Sequence, residues 1–313
     1  MKQDPGVLIV GPGSIGRLLA CRWILAGRPV RLLARTSRQE ALLARGMTLT
    51  DTRGKRQPVR GAAGARKTQG SPWPRAAFFC VKSGQVRGAL AASRPWIGPE
   101  TVVVALQNGL GHEDAFRRAF GKARTIIGSC FVAAAPDGDR GVRHTGGRRI
   151  LLAGCEADAR AVEAAGRLLR AGGWKVRVVE DEAGMLWTKL VTNASVNLLG
   201  AAANAPNGDL VRDPGLAAVL ARLIREGTDI AKAAGHPPLA PLDRTIPRAC
   251  KNSRHQANSM LQDLRSGRRT ELQAIAGPFL AVSDRKGVPA DALRMLARVV
   301  ARLEKKAVSR GGK

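Results

Sequence analysis

A chain of 313 residues, 44% of them hydrophobic, is long enough for one large domain or two ordinary ones with a substantial core. No apolar run approaches the length of a transmembrane helix, and the opening MKQDPG has no signal-peptide pattern. The formal charge is +28, but the 52 basic residues (39 Arg, 13 Lys) are spread along the whole chain, which favours compositional bias and anionic small molecules over a nucleic-acid partner.

The elements alternate at first. Val7–Val10 reads as a buried strand, residues 14–26 as a helix ended by Gly27, and Val30–Leu33 as a second strand. Residues 51–74, rich in Gly, Arg and Pro, read as loops or a weak meander. Further strands are expected at 77–81, 101–106 and 125–131, a pair of late strands within 142–153, and a closing strand at Lys175–Val179. Such alternation implies an α/β fold with a doubly wound, largely parallel sheet.

From about residue 182 the character changes. Helical patterns cover 185–199, 214–234 and 291–306, residues 240–260 mix helix with turns, and the final SRGGK is expected to fray. The expected organisation is an α/β domain over residues 1–180 and an all-helical domain over 181–313. No long linker separates them, so a cleft between closely packed domains is expected. The five cysteines, Cys21, Cys80, Cys130, Cys155 and Cys250, show neither CxxC nor zinc-ligand spacing. They are expected to be reduced, mostly buried thiols in a cytoplasmic protein, with no metal site.

Gly11-x-Gly13-x-x-Gly16 lies between the first strand and the first helix. Gly11 permits the tight turn, Gly13 lets a pyrophosphate approach the backbone, and Gly16 lets helix and strand pack closely. Ser14 and Ile15 open the helix, whose N-terminal N–H groups and dipole favour phosphate. A site for NAD usually has an acid at the end of the second strand. Here that strand ends in Arg35-Thr36-Ser37-Arg38, with no carboxylate before Glu40. An arginine there pairs with a 2′-phosphate, so NADP(H) is the expected cofactor, with Arg35 the principal contact and Arg38 a helper.

Three polar clusters follow. In LWTKLVTNASVNLLG, Lys189, Asn193 and Asn197 recur every four residues. Each step of four drifts only about 40° around an α-helix, so the three share one face. One lysine and two asparagines suit a polar cleft better than a solvated helix face. In NSMLQDLRSGRRTELQAIAG, Ser259 and Asp263 stand four apart, and Thr270-x-x-Gln273 matches a capping box. Thr270 would start a helix with Glu271 in its first turn. Finally, the strand ending at Leu106 opens into Gln107-Asn108-Gly109-Leu110-Gly111, and the strand near Phe78 into Lys82-Ser83-Gly84-Gln85. Strand-end loops of a parallel sheet are where ligands bind.

The segments VKSGQ, LQNGLG, WTKLVTNASVNLLGAAANAPNGDL and NSMLQDLRSGRRTEL, in this order behind GPGSIG, resemble the ketopantoate reductase (2-dehydropantoate 2-reductase) family over nearly the whole chain. The resemblance implies a Rossmann domain followed by a helical domain with the active site between them. It makes Lys189 the catalytic lysine, Glu271 the active-site glutamate and a cofactor contact, and Asn193 and Asn197 substrate-side asparagines. Ser259 would bind the substrate carboxylate, with Asp263 in support. Asn108, Lys82 and Gln85 would contact cofactor and active site, and Arg35 the 2′-phosphate. The implied reaction is NADPH-dependent reduction of 2-dehydropantoate to pantoate, in pantothenate and coenzyme A biosynthesis, in which the Lys189 ammonium stabilises and protonates the carbonyl oxygen. A sister reductase for another 2-oxo acid is the main alternative. A non-catalytic NADP-binding regulator is disfavoured by the intact Lys189, Asn193 and Glu271 set. Neither a nucleic acid nor a membrane is an expected partner. A homodimer is compatible with an exposed apolar helix face, which the sequence does not locate.

Overall fold

The structure, a computed structural model, describes residues 5–64 and 72–311. It forms two compact units, Met1–Gln107 with Gly111–Glu182 and Asn108–Leu110 with Ala183–Lys313. The strands of the first unit are β1 (Val7–Val10), β2 (Val30–Leu33), β3 (Met47–Thr50), β4 (Arg56–Val59), β5 (Ala62–Gly64), β6 (Ala76–Phe79), β7 (Val102–Ala105), β8 (Thr125–Asp137), β9 (Gly141–Ala153) and β10 (Lys175–Val179). Its helices are α1 (Ser14–Leu25), α2 (Ser37–Ala44), α3 (Val86–Ser93), α4 (Glu113–Phe120) and α5 (Ala159–Ala171).

Six strands lie parallel in the order β5-β2-β1-β6-β7-β8. The strand order reverses between β1 and β6, the switch point at which nucleotides bind in doubly wound sheets. β1, β6 and β7 read VLIV, AAFF and VVVA and are buried at every position, as central parallel strands covered on both faces must be. Helix α1 buries Leu18, Leu19, Cys21 and Trp23. The Trp23 ring lies 4.6 Å from that of Phe78, and its Nε1 donates to the Leu168 carbonyl at 2.6 Å.

Beyond β8 the sheet is mixed. β9 runs antiparallel to β8 and parallel to β3 and β10, and β4 is antiparallel to β3. The expected pair of late strands is one 13-residue strand, β9. Its Gly146-Gly147 step is absorbed without a break: Gly147 takes φ +68° where the register to β8 shifts near Ala133. A bulge of this kind re-aims a strand instead of ending it. Part of the Gly- and Arg-rich stretch 51–74 is strand (β4 and β5), and residues 65–71 of it lie outside the described residues.

The second unit is helical. α6 (Glu182–Asn193) leads into it, followed by α7 (Leu199–Ala202), α8 (Asp209–Arg212), α9 (Pro214–Ala233), α10 (Leu242–Asn252), α11 (Ser259–Arg265), α12 (Leu272–Lys286) and α13 (Asp291–Gly311). Its core gathers Leu223, Phe279, Leu293 and Val300 from α9, α12 and α13. The C-terminal stretch expected to fray is helical as far as Gly311; Gly312 and Lys313 lie outside the described residues. Among the described residues no helix is long and apolar enough to cross a membrane.

All five cysteines are free, but only Cys21 and Cys250 are buried, and Cys155 is exposed. The expectation of mostly buried thiols is corrected on this point: Cys80, just past the end of β6, and Cys130, within β8, are only partly covered, and Cys155 follows the end of β9. Burial pushes the Cys21 thiol up to about 12 and that of Cys250 to about 11, so both stay protonated and unreactive.

Candidate functional site

In the first unit three loops follow the carboxyl ends of parallel strands. The Gly11–Gly16 turn shows three separate reasons for glycine. Gly11 has φ +86°, and a Cβ there would stand 2.3 Å from Val81 Cγ1. At Gly16 a Cβ would come within 2.5 Å of the Gly11 carbonyl oxygen, so helix and turn are packed backbone to backbone. Gly13 differs: its φ of −72° suits any residue, and a Cβ would meet nothing within 4 Å. Among the described residues nothing requires glycine at position 13. The open space beside an exposed backbone at a helix start is the cradle a diphosphate needs. Gly13 caps α1 without a side chain, and the first-turn N–H groups of Ser14, Ile15 and Gly16 have no intrahelical acceptor by the geometry of a helix start. The residues present therefore fit a dinucleotide.

Arg35 and Arg38 are both exposed, in the loop after β2 and the first turn of α2. Glu40, five residues past Arg35, reaches back: its Oε1 accepts the Ala34 N–H at 2.9 Å. The carboxylate that looked too distant in sequence thus lies at the tip of β2, hydrogen-bonded to the backbone just before Arg35. Lys82 begins a short 3₁₀ turn, Ser83–Gln85, and its N–H donates to Gln85 Oε1 at 3.3 Å. Arg17, on α1, has its Nη1 on the carbonyls of Asp139 (2.9 Å) and Gly141 (3.1 Å), fixing the helix to the β8–β9 turn. Burial lowers its pKa.

In the second unit the polar stripe sits on one continuous helical run. Lys189 is half-buried on α6, and Asn193 and Asn197 are 7% and 6% exposed. Between the asparagines the helix is not α: Ala194–Leu198 forms a π turn. A wider i→i+5 turn takes more residues per revolution, so a step of four no longer overshoots. Asn193 and Asn197 are therefore not related by the drift of about 40° expected in an α-helix. Asn258 supports this turn. Its Nδ2 donates to the Val196 carbonyl at 3.2 Å, while its Oδ1 accepts the Leu261 N–H at 3.0 Å. It is therefore the N-cap of α11 and delivers Ser259 as that helix's first residue, exposed.

Three residues far apart in sequence meet. Asn193 Nδ2 donates to Asn108 Oδ1 at 3.2 Å, and Asn108 Nδ2 donates to Glu271 Oε2 at 3.0 Å. Both ends of the Asn108 amide are thus engaged, and it links the lysine-bearing helix to the glutamate. The loop reaches Glu271 because Gly109 has φ +89° and lies against Ala274, where a Cβ would come within 2.8 Å of the carbonyl oxygen. Glu271 is not in the first turn of α12 as expected but at its N-cap. The capping box fails because Thr270 Oγ1 accepts the Leu272 N–H at 3.2 Å and donates to Glu304, a carboxylate from α13. Asp263 is buried, with its Oδ1 3.1 Å from Arg268 Nε. Among the described residues no group of three or more metal-ligating side chains occurs.

Sequence reasoning missed Glu40, Asn258 and Glu304. Asn258 carried a signal, since asparagine is a preferred N-cap; the other two act through tertiary contact.

A Rossmann-type sheet with a glycine cradle, followed by a helical unit bearing a lysine–asparagine–glutamate set, defines a class of nucleotide-dependent oxidoreductase. Two family models match the chain, "Ketopantoate reductase PanE/ApbA" over residues 7–156 and its C-terminal counterpart over 182–304. The chain belongs to the ketopantoate reductase family. It is 28% identical to the 2-dehydropantoate 2-reductase of Pyrococcus horikoshii, covering 88% of this chain and 89% of the relative. To that of Mesorhizobium japonicum it is again 28% identical, over 97% and 98%. A crystal structure of a ketopantoate reductase from Ralstonia eutropha superposes with a TM-score of 0.82 at 28% identity, over 96% of this chain and 99% of that one. D-mandelate dehydrogenase, solved with NADH and anilino(oxo)acetate, shares the fold at 18% identity (TM-score 0.83; 96% of this chain, 99% of that one).

Proposed function

We propose that the chain reduces 2-dehydropantoate to pantoate with NADPH, a step of pantothenate and coenzyme A biosynthesis. The observation that carries this reading is the linked set Asn193–Asn108–Glu271, one helical turn from Lys189. A bound nicotinamide supplies the hydride. The chain's residues do the rest. Gly11, Gly13, Ser14, Ile15 and Gly16 hold the diphosphate, and Lys82 and Gln85 line the neighbouring loop. The Lys189 ammonium stabilises the developing charge on the carbonyl oxygen and donates the proton. Asn193 and Asn197 orient the lysine and the substrate. Ser259 receives the substrate carboxylate. Glu271, held by Asn108, accepts a hydrogen bond from the distal hydroxyl.

Arg35 is assigned to the 2′-phosphate. Arg35→Ala is expected to weaken NADPH by about ten- to a hundredfold, the size of one lost charge-assisted contact, and NADH hardly at all. Titration of both nucleotides checks it; equal losses remove Arg35 from the 2′-phosphate site. The fold shared with D-mandelate dehydrogenase supports a second reading, reduction of a different 2-oxo acid. NADPH oxidation with 2-dehydropantoate beside other 2-oxo acids separates the two. The highest kcat/KM belongs to 2-dehydropantoate on the first reading; another acid overtaking it replaces the substrate and leaves the reaction class.

A further inference from the structure

Helix α13 directs Leu293, Leu296 and Val300 into the core of its unit. One turn on, at the next i+4 position, stands a half-buried glutamate, Glu304. A carboxylate on an apolar face is unfavourable unless its oxygens are hydrogen-bonded. Here one oxygen, Oε2, accepts both the Thr270 N–H at 2.7 Å and the Thr270 hydroxyl. Charge-assisted bonds of this kind are the strong ones. The same Thr270 hydroxyl accepts the Leu272 N–H, and the Glu271 carbonyl accepts the Ile275 N–H at 3.0 Å. The backbone is therefore pinned on both sides of Glu271, whose φ and ψ of −95° and 29° at the N-cap aim its carboxylate at Asn108.

We propose that Glu304 is a positioning residue for Glu271: by clamping Thr270 it sets where the Glu271 carboxylate stands relative to Asn108 and, through it, Asn193. This rests on the reading of Glu271 as a substrate contact. Glu304 touches no reacting atom and acts through the turn. A simple helix cap would stabilise α12 whatever stands at position 271; a positioning residue matters to turnover only while Glu271 has a carboxylate to place.

A double-mutant cycle on the full chain, read with NADPH and 2-dehydropantoate, separates these. Glu304→Ala is expected to lower kcat/KM by about ten- to a hundredfold, the scale of an ångström's misplacement. Glu304→Gln, which keeps an acceptor oxygen for Thr270, retains most of the activity. In a Glu271→Gln background, Glu304→Ala adds less than about a twofold loss, the non-additivity of residues acting as one unit. Thr270→Val, which removes only the hydroxyl bond, follows the same pattern more weakly and carries the test if Glu304→Ala does not fold. If Glu271→Gln impairs turnover but the Glu304 or Thr270 change multiplies through unaltered in that background, the clamp is structural and the proposal is overturned. Wild-type turnover in Glu271→Gln overturns the role of Glu271 itself, and the proposal with it.

Discussion

Replacing Lys189 by alanine is expected to lower turnover by about 10² or more while NADPH binding survives, the usual size of general acid catalysis. The expectation follows from placement. Lys189 lies on α6, one turn before Asn193, which is tied through Asn108 to Glu271. The other two members of the polar stripe, Asn193 and Asn197, are amides and offer no acidic proton. Steady-state turnover and nucleotide fluorescence titration on one preparation read the two halves of the prediction. Near-normal turnover removes Lys189 from the chemistry, and lost nucleotide binding points to damage beyond it.

The second large effect is expected at Gly13, and it falls on nucleotide binding, not on stability. Gly13→Ala should lower the melting temperature only slightly, because the backbone there is ordinary and a Cβ meets nothing within 4 Å. Nucleotide affinity should nevertheless fall by about tenfold or more, the loss of one or two charge-assisted hydrogen bonds to phosphate. Gly16→Val is the contrast. Its Cβ would press on the Gly11 carbonyl oxygen at 2.5 Å, so stability falls by a few kcal/mol, as overpacking of a tight site commonly costs about 1–3 kcal/mol. A Gly13 variant that melts early but binds normally would reverse the assignment of the two glycines.

Periodic features were legible in the chain before any coordinates. Apolar runs such as VLIV and VVVA read as buried strands, and the Gly11–Gly16 spacing between strand and helix reads as a nucleotide turn. What escaped depends on contacts between distant residues. Asn108 meets Glu271 across 163 positions and Asn193 across 85, and no local pattern encodes either bond. Glu304 displaced the capping box at Thr270 from 34 residues away, a tertiary acceptor outcompeting a local one. Glu40 stands beyond the second strand in sequence, yet the first turn of α2 folds it back on Ala34. The π turn at Ala194–Leu198 left no trace in residue types. A spacing of four is the same string in either helix, and only the hydrogen bonds tell them apart.

The proposed function has the site read a 2-oxo acid by its distal hydroxyl, through a glutamate held by Asn108. It is tested most directly by kcat/KM with NADPH for 2-dehydropantoate against 3,3-dimethyl-2-oxobutanoate, the same acid without that hydroxyl. With the analogue the Glu271 carboxylate loses the hydrogen bond of that hydroxyl, so a preference of about 10² or more for 2-dehydropantoate is expected. A ratio near one would contradict it.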